Sequence, residues 1–327
     1  MSSKRLIFSQ PYLEFLIPLL SFFAFLPLMF SGLDLYTGIL NVTIPTGILS
    51  GVFQSNFSIY MFCSLTTAFF CWALNWLINS HDLLFKTNFL PSLLTLGYSA
   101  SLVYLDEINV SMLSLPLLIL AIANLLNSTG EYDRLKYLFN SGFFGGLAFL
   151  ADPYLICALP VFLAAILIIR PPEFRGSVVF LIGILNVLIL ALAIDSLTSY
   201  SISFFNFQEL ALQRDLFSNT PLIVVCAVFG IVTFLGLAFL SFNNRSKSNR
   251  VKLKIRVLLL VTLCVQCFLI FWQFSSDKEF TLFYIIPAVV YLCVVAYLSG
   301  LNKFLKPLLL ISHLVLFCSV LFYLFIK

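Results

Sequence analysis

The chain has 327 residues, of which 61% are hydrophobic and 10% charged, with a formal net charge of +4 and a mean hydropathy of +1.07. Soluble domains carry about 25% charged residues. A chain of this length has no water-soluble way to bury so much apolar surface, so the composition excludes an ordinary soluble enzyme and predicts a protein solvated by lipid.

No stretch is polar enough to form a separate domain, and residues 1–327 read as one integral membrane unit. The N-terminus, MSSKRLIFSQPYLEFLIPLLSFFAFLPLMF, has a basic start and an apolar stretch. That stretch is long and no small-x-small cleavage site follows it, so it predicts a retained first span and not a signal peptide. A crossing helix needs roughly 20 apolar residues, fewer where the bilayer is locally thin. Eleven segments qualify: 12–31, 58–79, 90–105, 109–126, 138–151, 153–170, 177–195, 221–242, 257–274, 281–299 and 307–326. The expected fold class is all-α: a polytopic membrane bundle of about eleven helices, between ten and twelve.

The fifth and sixth segments are short and are separated only by Asp152-Pro153. Loop charge tests that split, because cytoplasmic loops collect Lys and Arg. With the N-terminus inside, 15 of the 18 basic residues face the cytoplasm. Only Arg214, Lys278 and Lys327 face out. Merging the two segments would flip every later loop and expose 243-NNRSKSNRVKLKIR-256 on the outside, so the count predicts a hairpin at 151–153. Proline lacks a donor N–H and pushes the preceding residue out of helical geometry. Aspartate accepts hydrogen bonds from nearby backbone groups. Counted from residue 138, the helix before this turn is about 21 Å long, short of a hydrocarbon layer of about 30 Å. The turn is therefore expected below the outer surface. Gly142, Gly145 and Gly146 are expected to let helices approach closely.

This topology places Asp34, Asp106, Glu107, Asp152, Asp195, Glu209, Asp215, Asp277 and Glu279 outside. Two outer loops are long. Residues 32–57 are semi-apolar and hold one acid, Asp34, just past the first span. Residues 196–220 include an amphipathic stretch, 204–217, with Arg214. Arg214 either pairs locally with Asp215 or Glu209, or contacts a phosphate, whose oxygens suit a guanidinium. On the inner side, 129–139 reads as an interfacial helix. The six cations of 245–256 set the topology and suit anionic lipid. A loop this short beside a membrane does not suit nucleic acid.

Other chemistries lack their residues. The two histidines, His81 and His313, have no partner at metal-ligand spacing. All eight cysteines fall in predicted spans, and the Cys264–Cys267 CxxC reads as small packing residues. No GxxxxGK[ST] or GxGxxG motif is present, so nothing points to nucleotide chemistry.

The segment 141-SGFFGGLAFLADPYLICALPVFLAAILIIRPP-172 resembles a recurring stretch of GT-C type membrane glycosyltransferases: a small-residue helix, a short polar-Pro turn, then an apolar helix ending in basic residues. The acidic turn 104-YLDEIN-109 fits the same order. More closely, residues 1–200 resemble an uncharacterised multi-pass family of Bacteroidota inner membranes, through 75-NWLINSHDLLFKTNFLPSLLTLGYSASL-102 and 167-LIIRPPEFRGSVVFLIGIL-185, with 201–327 as additional helices. The glycosyltransferase resemblance implies a sugar delivered on a polyprenyl phosphate at the outer face of the inner membrane. It assigns Asp34 as the base on the acceptor, with Asp106, Glu107 and Asp152 shaping the acceptor site or a divalent-metal site, and Arg214 holding the lipid phosphate. It requires no other cofactor. The chain departs from the pattern in having a single Asp in its first outer loop and few outer cations. Two alternatives therefore stay open: a non-enzymatic subunit of an envelope assembly, with protein partners there, and a transporter with a mid-membrane site lined by Asn75, Asn124 or Asn186.

Overall fold

A computed structural model describes residues 18–26, 56–81, 83–84, 89–105, 111–130, 133–169, 174–197, 230, 236, 247–275 and 283–298. Among them all regular structure is helical, with no strand. The elements are α1 (residues 18–26), α2 (Asn56–Ser80), α3 (Leu90–Leu105), α4 (Ser111–Asn127), α5 (Arg134–Ala151), a 3-10 segment (Pro153–Ala158), α6 (Leu159–Ile169), α7 (Phe174–Leu197), α8 (Asn249–Ser275), a second 3-10 segment (Phe283–Ile285) and α9 (Ile286–Leu298). Gly230 and Gly236 are also helical, within the expected 221–242 segment. The expected span 307–326 lies outside the described residues.

Local chemistry explains the boundaries. Pro91, Pro160 and Pro287 each stand second in their helix. A first-turn N–H has no intrahelical partner, so proline costs nothing there and its fixed φ suits the helix. Pro116, inside α4, is the exception. Four helical hydroxyls are satisfied within their own helices: Thr66, Thr95, Ser101 and Thr262 donate to the carbonyls of Phe62, Pro91, Gly97 and Leu258, four residues back, at 2.7–2.8 Å. An apolar layer offers no water to do this instead.

Among the described residues, two helices are long and apolar enough to cross a membrane: Tyr60–Ser80 within α2 and Phe174–Ala193 within α7. Leu90–Val103, Met112–Asn127, Leu155–Ile169 and Ile286–Val295 are shorter apolar helices. Helix α5 packs along α4 and α7; α2 packs on α3 and α4; α8 packs on α6 and the first 3-10 segment; α9 packs on α3.

The α5–α7 seam is built on glycine. A Cβ at Gly142 would fall 2.0 Å from the Phe180 carbonyl oxygen, and one at Gly183 would fall 2.4 Å from the Phe139 carbonyl oxygen. Gly146 meets Ile184 and Val187 more loosely, at 3.1 Å or more. Gly145 is not part of the seam: a Cβ there would meet no described atom within 4 Å.

The chain reverses after α5, as loop charge predicts. Leu138, near the start of α5, and Ile166, near the end of α6, both lie against Gly176 at the start of α7. Phe162 stacks on Phe180, ring centroids 5.6 Å apart. One detail differs from expectation. Helix α5 begins at Arg134, not 138, so residues 134–139 form its first turns and are not a separate interfacial helix. Its 18 residues span about 27 Å. Periodicity missed this start because the first turn is polar, and its entry, Asp133, has a left-handed backbone (φ 55°) instead of a side-chain cap.

Candidate functional site

Among the described residues, two groups of long-range polar contacts lie at opposite ends of the bundle. One end holds the turn after α5. The Asp152 N–H closes the helix on the Ala148 carbonyl at 2.8 Å, and the Asp152 carbonyl accepts from the Leu155 N–H at 3.0 Å, opening the 3-10 segment. The residue itself is extended, at φ −136° and ψ 99°. The residue is 8% exposed, and its carboxylate accepts a hydrogen bond from the Tyr284 hydroxyl. Tyr284, 1% exposed, lies just before α9, and its oxygen is 2.7 Å from Ser114 Oγ, near the start of α4. A phenol has one proton. With that proton given to Asp152, Ser114 is the donor to Tyr284. The relay thus runs from Ser114 through Tyr284 to Asp152 and joins three separate parts of the chain.

The other end holds cations. Lys247 Nζ donates to the Leu83 carbonyl at 2.7 Å, just past α2. Lys254 Nζ lies 3.2 Å from His81 Nδ1, and Arg250 Nε lies 3.5 Å from Thr129 Oγ1, just past α4. An ammonium only donates, so His81 accepts through Nδ1 and carries its proton on Nε2. His81 is 2% exposed, and Trp76 packs against its ring in an edge arrangement at 6.4 Å. Burial holds its pKa down to about 4, helped by the Lys254 charge and opposed by the Ala123 backbone. His81 is therefore neutral at pH 7. Burial also pulls Lys247 down to about 8.

Of the five residues expected at an outer site, Asp152 is described; it is buried and oriented by Tyr284. Asp34, Asp106, Glu107 and Arg214 lie outside the described residues. The Asp152 carboxylate takes a phenol 132 residues away. Nothing local in the sequence marks Tyr284 or Ser114 as its partners. His81 and Lys254, separated by 173 residues, likewise become neighbours only through packing. Asn75 and Asn124 make bonds within their own helices, to Asn79 at 3.1 Å and to the Leu120 carbonyl at 2.8 Å. Among the described residues no group of three or more His, Cys, Asp or Glu could hold a metal ion.

No family model, curated protein or solved structure matches this chain.

Proposed function

We propose that this chain is a multi-pass protein of the bacterial inner membrane that acts, in the manner of GT-C glycosyltransferases, on a polyprenyl-phosphate-linked sugar at the outer face. The observation that carries the reading is the buried Asp152 carboxylate, held by Tyr284 and Ser114 at the end of the bundle opposite the cations. Positive charge gathers on the cytoplasmic side of membrane proteins, so the Asp152 end is the outer one. The eleven apolar segments then cross in alternation, with the N-terminus inside. The exposed apolar side chains of α7, including Phe174, Val178, Leu185, Ile189 and Leu192, face hydrocarbon.

In this reading Asp34 accepts the proton of the acceptor hydroxyl and Arg214 holds the lipid phosphate. Asp106, Glu107 and Asp152 shape the acceptor or divalent-metal site. A general base needs hydrogen-bond reach of the proton it takes. Asp152, with Tyr284 already on it, suits a positioning role better than that of the base.

A second reading is a non-enzymatic subunit of an envelope assembly. It is favoured by the same relay, because a carboxylate that ties the end of α5 to the start of α9 already has structural work.

Native mass spectrometry of the detergent-purified protein, wild type beside Arg214→Ala, separates the two readings. A bound polyprenyl phosphate lost in the variant supports the transferase, and Asp34→Asn should then abolish sugar transfer. Bulk phospholipid alone, or a stoichiometric protein partner, supports the subunit.

A further inference from the structure

A second ligand-facing feature lies on the cation end, away from the carboxylate relay. Phe69, Trp72 and Trp76 occupy one face of α2 and stack in sequence. Their ring centroids are 5.8 Å and then 6.3 Å apart, with planes within 15° of each other. The two tryptophans are 43% and 38% exposed. Trp76 sits one turn from the end of α2, about 6 Å along the axis, at the depth where tryptophan meets lipid headgroups.

The foot of this ladder is electrically positive. Trp76 packs against His81, and His81 accepts from Lys254. Lys247 reaches the carbonyl of Leu83, two residues beyond His81. The charge excess does not depend on any single pair. The four inner connections 81–89, 127–137, 170–175 and 243–256 hold eleven Lys and Arg against four Asp and Glu, so pairing every acid leaves most of the cations over. Helix α8, which carries Lys252, Lys254 and Arg256, has no acid in its first turn to meet its own N-terminal dipole.

We propose that this end of α2 binds one anionic phospholipid of the inner leaflet, with its phosphate on Lys247 and Lys254 and an acyl chain along Phe69, Trp72 and Trp76. A flat, exposed aromatic stack offers dispersion contact to a chain, and the two ammonium groups offer point charges to a phosphate. His81 is a positioning residue: neutral and buried, it fixes Lys254 beside the ladder. The half-buried Lys247, held below its ordinary pKa by burial, gains from an anion what it loses in hydration. A free phosphate would satisfy the lysines but would leave the aromatic stack without a role.

The test uses the full chain with Trp272→Phe, so that Trp72 and Trp76 are its remaining tryptophans. The protein is reconstituted in phosphatidylcholine vesicles containing increasing amounts of bromine-labelled phosphatidylglycerol, or of bromine-labelled phosphatidylcholine as the neutral control. With about 1 kcal/mol per lysine near the surface and two lysines, the anionic lipid should quench tryptophan fluorescence at roughly thirty-fold lower mole fraction than the neutral one. The preference should vanish in Lys247→Gln/Lys254→Gln and persist in Lys247→Arg/Lys254→Arg, which keeps the charge and controls for folding. Equal quenching by both lipids in the parent protein overturns the proposal, as does a preference that survives the glutamine pair. Loss of the preference on adding millimolar inorganic phosphate at constant ionic strength would mark a free-anion site and also overturn it.

Discussion

The two ends of the bundle close by different chemistry. At the cation end, Lys247, Arg250 and Lys254 from one short stretch reach neutral acceptors on two separate connections. At the Asp152 end, one carboxylate accepts from one phenol, which in turn accepts from one hydroxyl, and all three residues are buried. Many flexible cations share the work at the first, so losing one removes little. The second is made of buried groups, and an uncompensated buried polar group is costly. The comparison teaches where to look for specificity: several cations share the contacts at one end, while buried groups of matched chemistry meet at the other.

The largest loss is expected at the α5–α7 seam that packs the helix leading to Asp152. Gly142→Ala should destabilise the protein by about 3 kcal/mol or more, because the new methyl meets backbone at Phe180 that cannot turn aside. Thermal melting in detergent is the measurement, and an unchanged midpoint would remove the seam from the account.

Next in size is the Asp152 relay. Tyr284→Phe leaves Asp152 without its phenol and should cost about 1–3 kcal/mol. Arg250→Ala at the cation end should cost under about 1 kcal/mol, since its 3.5 Å contact is exposed. Equal losses on chemical denaturation would erase the contrast between the ends.

A pH series sharpens the cation end. The unfolded chain takes up a proton on His81 near pH 6.5, and the folded chain resists it until about pH 4. Stability should therefore fall as pH drops through that window, by on the order of 2 kcal/mol by pH 5. His81→Asn should remove this part of the pH dependence, as read by melting midpoints between pH 7.5 and 5.

The smallest effect belongs to Gly145. With no described atom within 4 Å of a new Cβ, Gly145→Ala should gain up to about 1 kcal/mol from helix propensity, opposite in sign to its neighbour Gly142.

Much of this architecture was legible in the sequence, and the limits have physical causes. Helix α3 falls on residues 90–105 as expected, because Pro91 opens it and the acidic pair Asp106-Glu107 follows its end. The reversal at Asp152 could be inferred from where positive charge must lie. The α5 start could not, because a polar first turn hides helical periodicity. Gly142 announced a close approach, yet only packing shows that its counterpart is Phe180 beside Gly183. Asp152 was visible as a candidate, whereas Tyr284, His81 and Lys254 take their roles from long-range contacts that local patterns do not encode.

Opposite sidedness of the two ends is the central claim, and thiol labelling tests it directly. Starting from a variant with its eight cysteines replaced, Ser196→Cys near the end of α7 and Asn249→Cys at the start of α8 place single thiols at exposed positions. In intact spheroplasts, a membrane-impermeant maleimide should label Cys at 196 and reach Cys at 249 only after permeabilisation. Labelling of both before permeabilisation, or of neither, would contradict the alternating arrangement and the outer site built on it.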